Sequence, residues 1–261
     1  MSDQRQLNFP KTFLWGVTTS AYQIEGGNHN QWSVWELENA RTLATQSTYQ
    51  YDDLENWPAI KLAAKLPDNY VSGRAADHYE MYERDIELAK KMHLNALRFS
   101  VEWSRVQPEE GAWNIEAVQY YKDYIGALKK RGIEPILTLF HFTLPLWFTA
   151  KGGFEKRSNI KYFVEFADRL LSELGGNVRY VITINEPQTY VKHGYVDGLW
   201  PPQLTGKMRA FKVLRNLAHA HNKVASLLHA KSRRYKVSVA NYYDYIYPGD
   251  DAWLTVKSAQ V

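Results

Sequence analysis

The stretch Glu116-Ala-Val-Gln-Tyr-Tyr-Lys-Asp-Tyr-Ile-Gly-Ala-Leu-Lys-Lys-Arg131, followed by Gly132 and then Pro135-Ile-Leu-Thr-Leu-Phe140, decides the fold class. In its first part Ala117, Tyr121, Tyr124, Ile125 and Leu128 recur at spacings of three and four, which predicts the buried face of an amphipathic helix. Gly132 stops that helix. The run from Pro135 to Phe140 is almost wholly apolar, which is how a parallel strand covered on both faces reads. A helix feeding such a strand is one half of a βαβ unit.

The same alternation extends in both directions. Upstream, Phe13 to Val17 is a short apolar run. Residues 74–92 read as a helix through Tyr79, Tyr82, Ile86, Ala89 and Met92, and Ala96 to Trp103 reads as a strand. Downstream, Ser158 is a candidate N-cap for a helix that turns Ile160, Phe163, Val164, Ala167, Leu170, Leu171 and Leu174 inward and closes at Gly175-Gly176. Tyr180 to Ile184 is a strand, 208–230 a helix, Val237 to Ala240 a strand, and 250–261 begins a further helix. Residues 39–72 are polar and irregular, so they are expected to form a long loop inserted after strand 1, with a short helix around 55–65. The expectation is one α/β domain over 1–261 with five parallel strands. An open doubly wound sheet and most of a (β/α)8 TIM barrel both fit this pattern. Gly26-Gly27 matches neither G-x-G-x-x-G nor a P-loop, which removes the main support for nucleotide binding.

Composition narrows the function. The net charge is +4, with Lys and Arg scattered rather than gathered in a stripe, so nucleic acid is not an expected partner. The absence of cysteine excludes disulfides, thiolate metal sites and cysteine nucleophiles. Met1 to Pro10 has no apolar core of the kind a secretory signal needs, and no apolar run is long enough to cross a bilayer. A cytoplasmic protein is the simplest reading. Aromatic residues make up 14% of the chain; they suit either core anchoring or stacking against sugar rings.

In parallel α/β folds the reactive groups lie at the C-terminal strand ends. Those ends read Ser20 to Gly26, Arg98 to Arg105, Thr138 to Pro145, Thr183 to Pro187, and Ala240-Asn241-Tyr242. Gln, Arg, His, Asn-Glu and Asn therefore collect on one rim. Amides and imidazole both donate to and accept from hydroxyls, and a carboxyl can move a proton, so the set suits a polyol.

The chain here resembles glycoside hydrolase family 1, the β-glucosidase family of (β/α)8 barrels. The resemblance rests on Phe13-Leu14-Trp15-Gly16 with Ser20 to Gly26, Asp77-His78-Tyr79, Arg98-Phe99-Ser100 with Trp103-Ser104-Arg105, His141 with Leu144-Pro145, Asn185-Glu186-Pro187, and Gly194-Tyr195 with Pro201-Pro202. These motifs follow one another in family order along the chain. The resemblance implies Glu186 as general acid/base, Asn185 on the sugar 2-hydroxyl, Gln23 and His141 on the 3- and 4-hydroxyls, and Arg98 orienting a nucleophilic carboxylate. Asn241 joins them as a substrate-binding candidate at the fifth strand end. No cofactor and no metal are expected, because the reaction needs only two carboxyls about 5 Å apart. Phe142-Thr143 stands where many members carry Trp-Asp. Glu25 and Glu102 read as structural, and His219, His221 and His229 as surface or packing residues. Trp32, Trp35 and Trp147 fit cleft and core equally.

The Thr-Glu-Asn-Gly motif that carries the family's nucleophile near strand seven does not occur in these residues. The expectation is a split barrel. This chain supplies about the first five βα units, and a partner chain supplies strands six to eight with the nucleophilic Glu, together forming a heteromeric β-glycosidase. The alternatives are a truncated or inactive fragment and a non-catalytic sugar-binding or interaction protein.

Overall fold

The computed structural model describes residues 8–243. Its strands are β1 (Gly16–Thr18), β2 (Ala96–Ser100), β3 (Glu134–Phe140), β4 (Tyr180–Asn185) and β5 (Lys236–Ala240). All neighbouring pairs are parallel, in the order β1-β2-β3-β4-β5. The helices are α1 (Ala21–Ile24), α2 (Gln31–Tyr51), α3 (Trp57–Ala64), α4 (His78–Lys91), α5 (Trp103–Val106), α6 (Ile115–Lys130), α7 (Leu146–Ala150), α8 (Ile160–Leu174), α9 (Pro187–Val191) and α10 (Lys207–Lys231). Consecutive strands joined by helical crossovers, each pairing with the next, are the first arc of a (β/α)8 barrel rather than a doubly wound sheet, whose strand order reverses at a switch point.

Local chemistry explains the element ends. Asn114 Oδ1 accepts from the Ala117 amide at 3.0 Å and starts α6, and Gly132 in a left-handed turn (φ 73°) leads out of it toward β3. Gly16 must be glycine for a different reason: a Cβ there would lie 2.7 Å from the Ala96 carbonyl oxygen on the paired strand. The core lies between the sheet and α6, α8 and α10. At its centre Trp103 stacks on Phe166 with ring centroids 4.8 Å apart, flanked by Phe148 and Phe163. Much of the aromatic content is therefore core.

Three expectations need correction. Residues 39–72 are not a long loop, since α2 runs through Tyr51 and α3 follows, with a 3-10 turn over Pro67–Tyr70. Asn30 starts α2 with a capping box: its Oδ1 accepts from the Trp32 and Ser33 amides, and Ser33 Oγ accepts from the Asn30 amide. The buried face of α2 is Glu36, Ala40, Ala44 and Ser47. Small and polar residues hide the helical period there from a reading based on large apolar side chains. Second, Ser158 lies inside a 3-10 turn, and α8 begins after Asn159, whose side chain is spent on the Lys151 and Gly153 carbonyls. Third, the strands are not uniformly covered. β2, β3 and β4 are mostly buried, while all of β1 is exposed and β5 is at most half-buried. Among the described residues β1 and β5 each pair on one edge only. The helix expected over 250–261 lies outside the described residues. No helix among the described residues is long and apolar enough to cross a membrane.

Candidate active site

Asn185 closes β4, and Glu186 follows in a left-handed backbone conformation (φ 42°, ψ 63°) as the residue before α9. A non-glycine residue there is uncommon and is held by its surroundings. The Glu186 amide donates to the Ala240 carbonyl at 2.7 Å, and the Glu186 carbonyl accepts from the Tyr190 amide. Pro187 at the first helical position suits the turn, because its missing amide would be unpaired in any case.

Arg98 on β2 reaches across the sheet. Its Nε donates to Thr138 Oγ1 on β3 at 2.9 Å, and its Nη2 donates to Asn185 Oδ1 at 2.5 Å. The Asn185 Nδ2 lies 3.3 Å from His141 Nε2. If the amide donates there, Nε2 is the acceptor nitrogen and the proton sits on Nδ1. That buried Nδ1 has no hydrogen-bond partner among the described residues. Burial, helped by the Arg98 charge, pushes the imidazole down to about 4, so His141 is neutral at physiological pH. Burial also lowers Arg98, and the Glu186 carboxylate opposes that effect. Arg98 remains a cation and Glu186 is the acidic group whose field it feels.

Gln23 lies on α1, which is tied to β2 by the Ala21 amide donating to Ser100 Oγ at 2.7 Å. Its Oε1 accepts from Ser20 Oγ at 2.8 Å. Gln23 and His141 line one cleft of 230 Å³ together with Trp32, Phe142 and Trp200. Trp200 packs against Trp32 and Phe142 with centroids 5.0 and 5.2 Å apart. The structure thus joins Arg98, Asn185 and His141 by direct bonds, sets Glu186 beside them, and opens a cleft at Gln23 and His141. Asn241 stands apart: it is exposed, and its Nδ2 donates to Tyr243 Oη at 3.2 Å.

Glu25 and Glu102 are buried behind the rim. Glu25 pairs with Arg105 at 3.1 Å and accepts from Tyr121 Oη at 2.7 Å. Burial pushes its carboxyl up to about 7, with Arg105 and Tyr121 pulling the other way. Glu102 caps α5 and accepts from Ser104 Oγ and Thr143 Oγ1; burial raises it as well. Trp147 packs half-buried against the core, with Nε1 donating to the Gln107 carbonyl, whereas Trp32 faces the cleft and Trp35 packs edge-on against it. Sequence reasoning missed Trp200, Glu36 and Ser72 in the cleft wall and Thr138 under Arg98. Trp200 directly precedes the quoted Pro201-Pro202 pair, so position was the available signal. It also missed that His221 bonds Thr183 on β4.

Residues 5–260 match the model for glycosyl hydrolase family 1. The chain belongs to that family. It is 29% identical to β-glucosidase A of Acetivibrio thermocellus over 98% of its own length and 53% of the relative's. Among solved structures, a β-glycosidase from Pyrococcus horikoshii superposes with a TM-score of 0.80 at 38% identity, covering 97% of this chain and 52% of that one. A family 1 β-glucosidase from Thermotoga maritima superposes at 0.78 with 28% identity, over 97% and 53%. The chain thus spans about half the length of the relatives it matches, and its five-stranded sheet is a partial family 1 barrel.

Proposed function

We propose that this chain is the acid/base-bearing part of a retaining β-glycosidase that hydrolyses β-glucosides or related β-glycosides. The observation that carries the reading is the placement of Glu186 directly after Asn185, whose amide is fixed between Arg98 and His141. A fixed amide suits a sugar hydroxyl, and a carboxyl next to it suits the glycosidic oxygen.

In this reading Glu186 gives its proton to the leaving oxygen while a second carboxylate attacks the anomeric carbon. The bond to the leaving group breaks as the glycosyl ester forms. Glu186, now ionised, takes a proton from water as that water attacks the ester, which regenerates both carboxyls. Arg98 faces the second carboxylate and keeps it charged. Gln23 and neutral His141 hold ring hydroxyls, and Asn241 binds at the outer rim. The second carboxylate comes with strands six to eight, which pair with the edges of β1 and β5 that no strand among the described residues covers.

The test is reconstitution. Mixed with a polypeptide carrying strands six to eight of a family 1 glycosidase, the chain is expected to form a 1:1 complex that cleaves an aryl β-glucoside and loses that activity on Glu186→Gln. Sugar binding without turnover in such a complex would instead establish a non-catalytic sugar-binding protein.

A further inference from the structure

The bond between Thr183 and His221 has no place in the chemistry above, yet it lies directly behind the residues that perform it. β4 and β5 pair in regular register as Tyr180↔Lys236, Val181↔Val237 and Ile182↔Ser238, and then Asn185 pairs with Ala240. The chain advances three residues on β4 against two on β5, so Thr183 and Ile184 lie within a bulge. A bulge re-aims the side chains that follow it. Without the extra residue the strand would continue one step out of phase, and a one-step slip turns a strand side chain to the opposite face. Asn185 would then leave Arg98 and His141, and Glu186 would lose its amide bond to Ala240.

Thr183 is fully buried, so its hydroxyl needs a partner. It finds His221 Nδ1 on α10 at 2.7 Å, and the Ser238 carbonyl at 3.4 Å on the facing strand. The bulge residue is thereby tied to the helix behind the sheet and to β5 beside it. We propose that Thr183 and His221 are positioning residues, whose bond fixes the β4 bulge that holds Asn185 against Arg98 and His141 and the Glu186 amide on the Ala240 carbonyl. This rests on the proposed role of Glu186 for its catalytic consequence, but not for its structural one.

Two measurements separate those parts. Thr183→Val keeps the shape and strand preference of threonine and removes the hydroxyl, and Thr183→Ser restores it. In the full chain, amide hydrogen exchange at Glu186 is expected to speed up about tenfold in Thr183→Val and in His221→Phe, the size of one lost buried hydrogen bond, and to return to normal in Thr183→Ser. The amides of β2 serve as the unaffected control. In the reconstituted complex, kcat/KM, which reports formation of the glycosyl ester and not its hydrolysis, is compared on an alkyl β-glucoside, which needs proton donation, and on a 2,4-dinitrophenyl β-glucoside, which does not. The alkyl-to-dinitrophenyl ratio is expected to fall about tenfold in Thr183→Val and to recover in Thr183→Ser. Unchanged Glu186 exchange in Thr183→Val would overturn the proposal, as would an equal loss on both substrates. If the unsubstituted complex hydrolyses neither substrate, the glycosidase reading fails, while the exchange result still decides the positioning role.

Discussion

Arg98 and Asn185 come from strands two places apart in the sheet, and a single hydrogen bond of 2.5 Å from Nη2 to Oδ1 fixes one against the other. With Nε donating to Thr138 as well, the guanidinium is held through two of its nitrogens. It locks the Asn185 amide so that Oδ1 accepts from the arginine and Nδ2 turns to His141.

That geometry makes Arg98→Lys a severe change despite the conserved charge. Lysine has no planar fork and cannot hold Thr138 and Asn185 together. In the reconstituted complex kcat/KM is expected to fall about 100-fold, in line with lost orientation of reacting groups. Steady-state kinetics alongside a melting curve separate this from unfolding. A change of less than about threefold would show that the guanidinium does not organise the site.

The His141 shift sets a pH window for stability. The folded state holds the imidazole down to about 4, against an ordinary value of 6.5. Between those values the unfolded chain binds a proton that the folded chain refuses. This site's contribution is therefore present above pH 6.5 and is lost as pH falls toward 4. His141→Gln is expected to flatten the loss of stability across that window by about 2 kcal/mol, allowing for partial solvent access. Denaturant titrations at several pH values read it directly.

Glu25 and Arg105 form a buried pair whose removal from one side leaves an uncompensated charge. The Arg105 guanidinium also donates to the Gly26 carbonyl and to Asn28 Oδ1 at 2.7 Å and lies over the Tyr79 ring. Arg105→Met is expected to cost about 3–5 kcal/mol. Thr143→Val, which removes one of several bonds to Glu102, is expected to cost about 1–2 kcal/mol. Equal melting temperatures for the two variants would refute this ordering.

The sequence told much of this in advance, because the strongest signals lay where large apolar residues repeat. Tyr121, Tyr124, Ile125 and Leu128 marked α6, and the apolar run after Gly132 marked β3 and with it the parallel sheet. The rim residues were legible as motifs, and the structure draws Arg98, His141 and Asn185 into direct contact. Helix α2 was not legible, because Ala40, Ala44 and Ser47 carry its buried face without bulk. The exposure of β1 was not legible either, since an apolar run looks the same whether or not a neighbour covers it. The role of His221 depends on a bulge in β4, and the register of a strand against its neighbour is not written in either strand alone.

The central claim is that Glu186 shuttles the proton for a second carboxylate that comes with strands six to eight of the barrel. The most direct measurement is hydrolysis of an aryl β-glucoside by this chain, by a polypeptide bearing those strands, and by their mixture, each with and without Glu186→Gln. The expected result is activity only in the mixture, rising to a plateau at one-to-one stoichiometry, with turnover of a poorly leaving alkyl glycoside falling by about 100-fold or more on the substitution. A mixture no more active than its parts, or alkyl glycoside turnover that survives the loss of the Glu186 carboxyl, would contradict it.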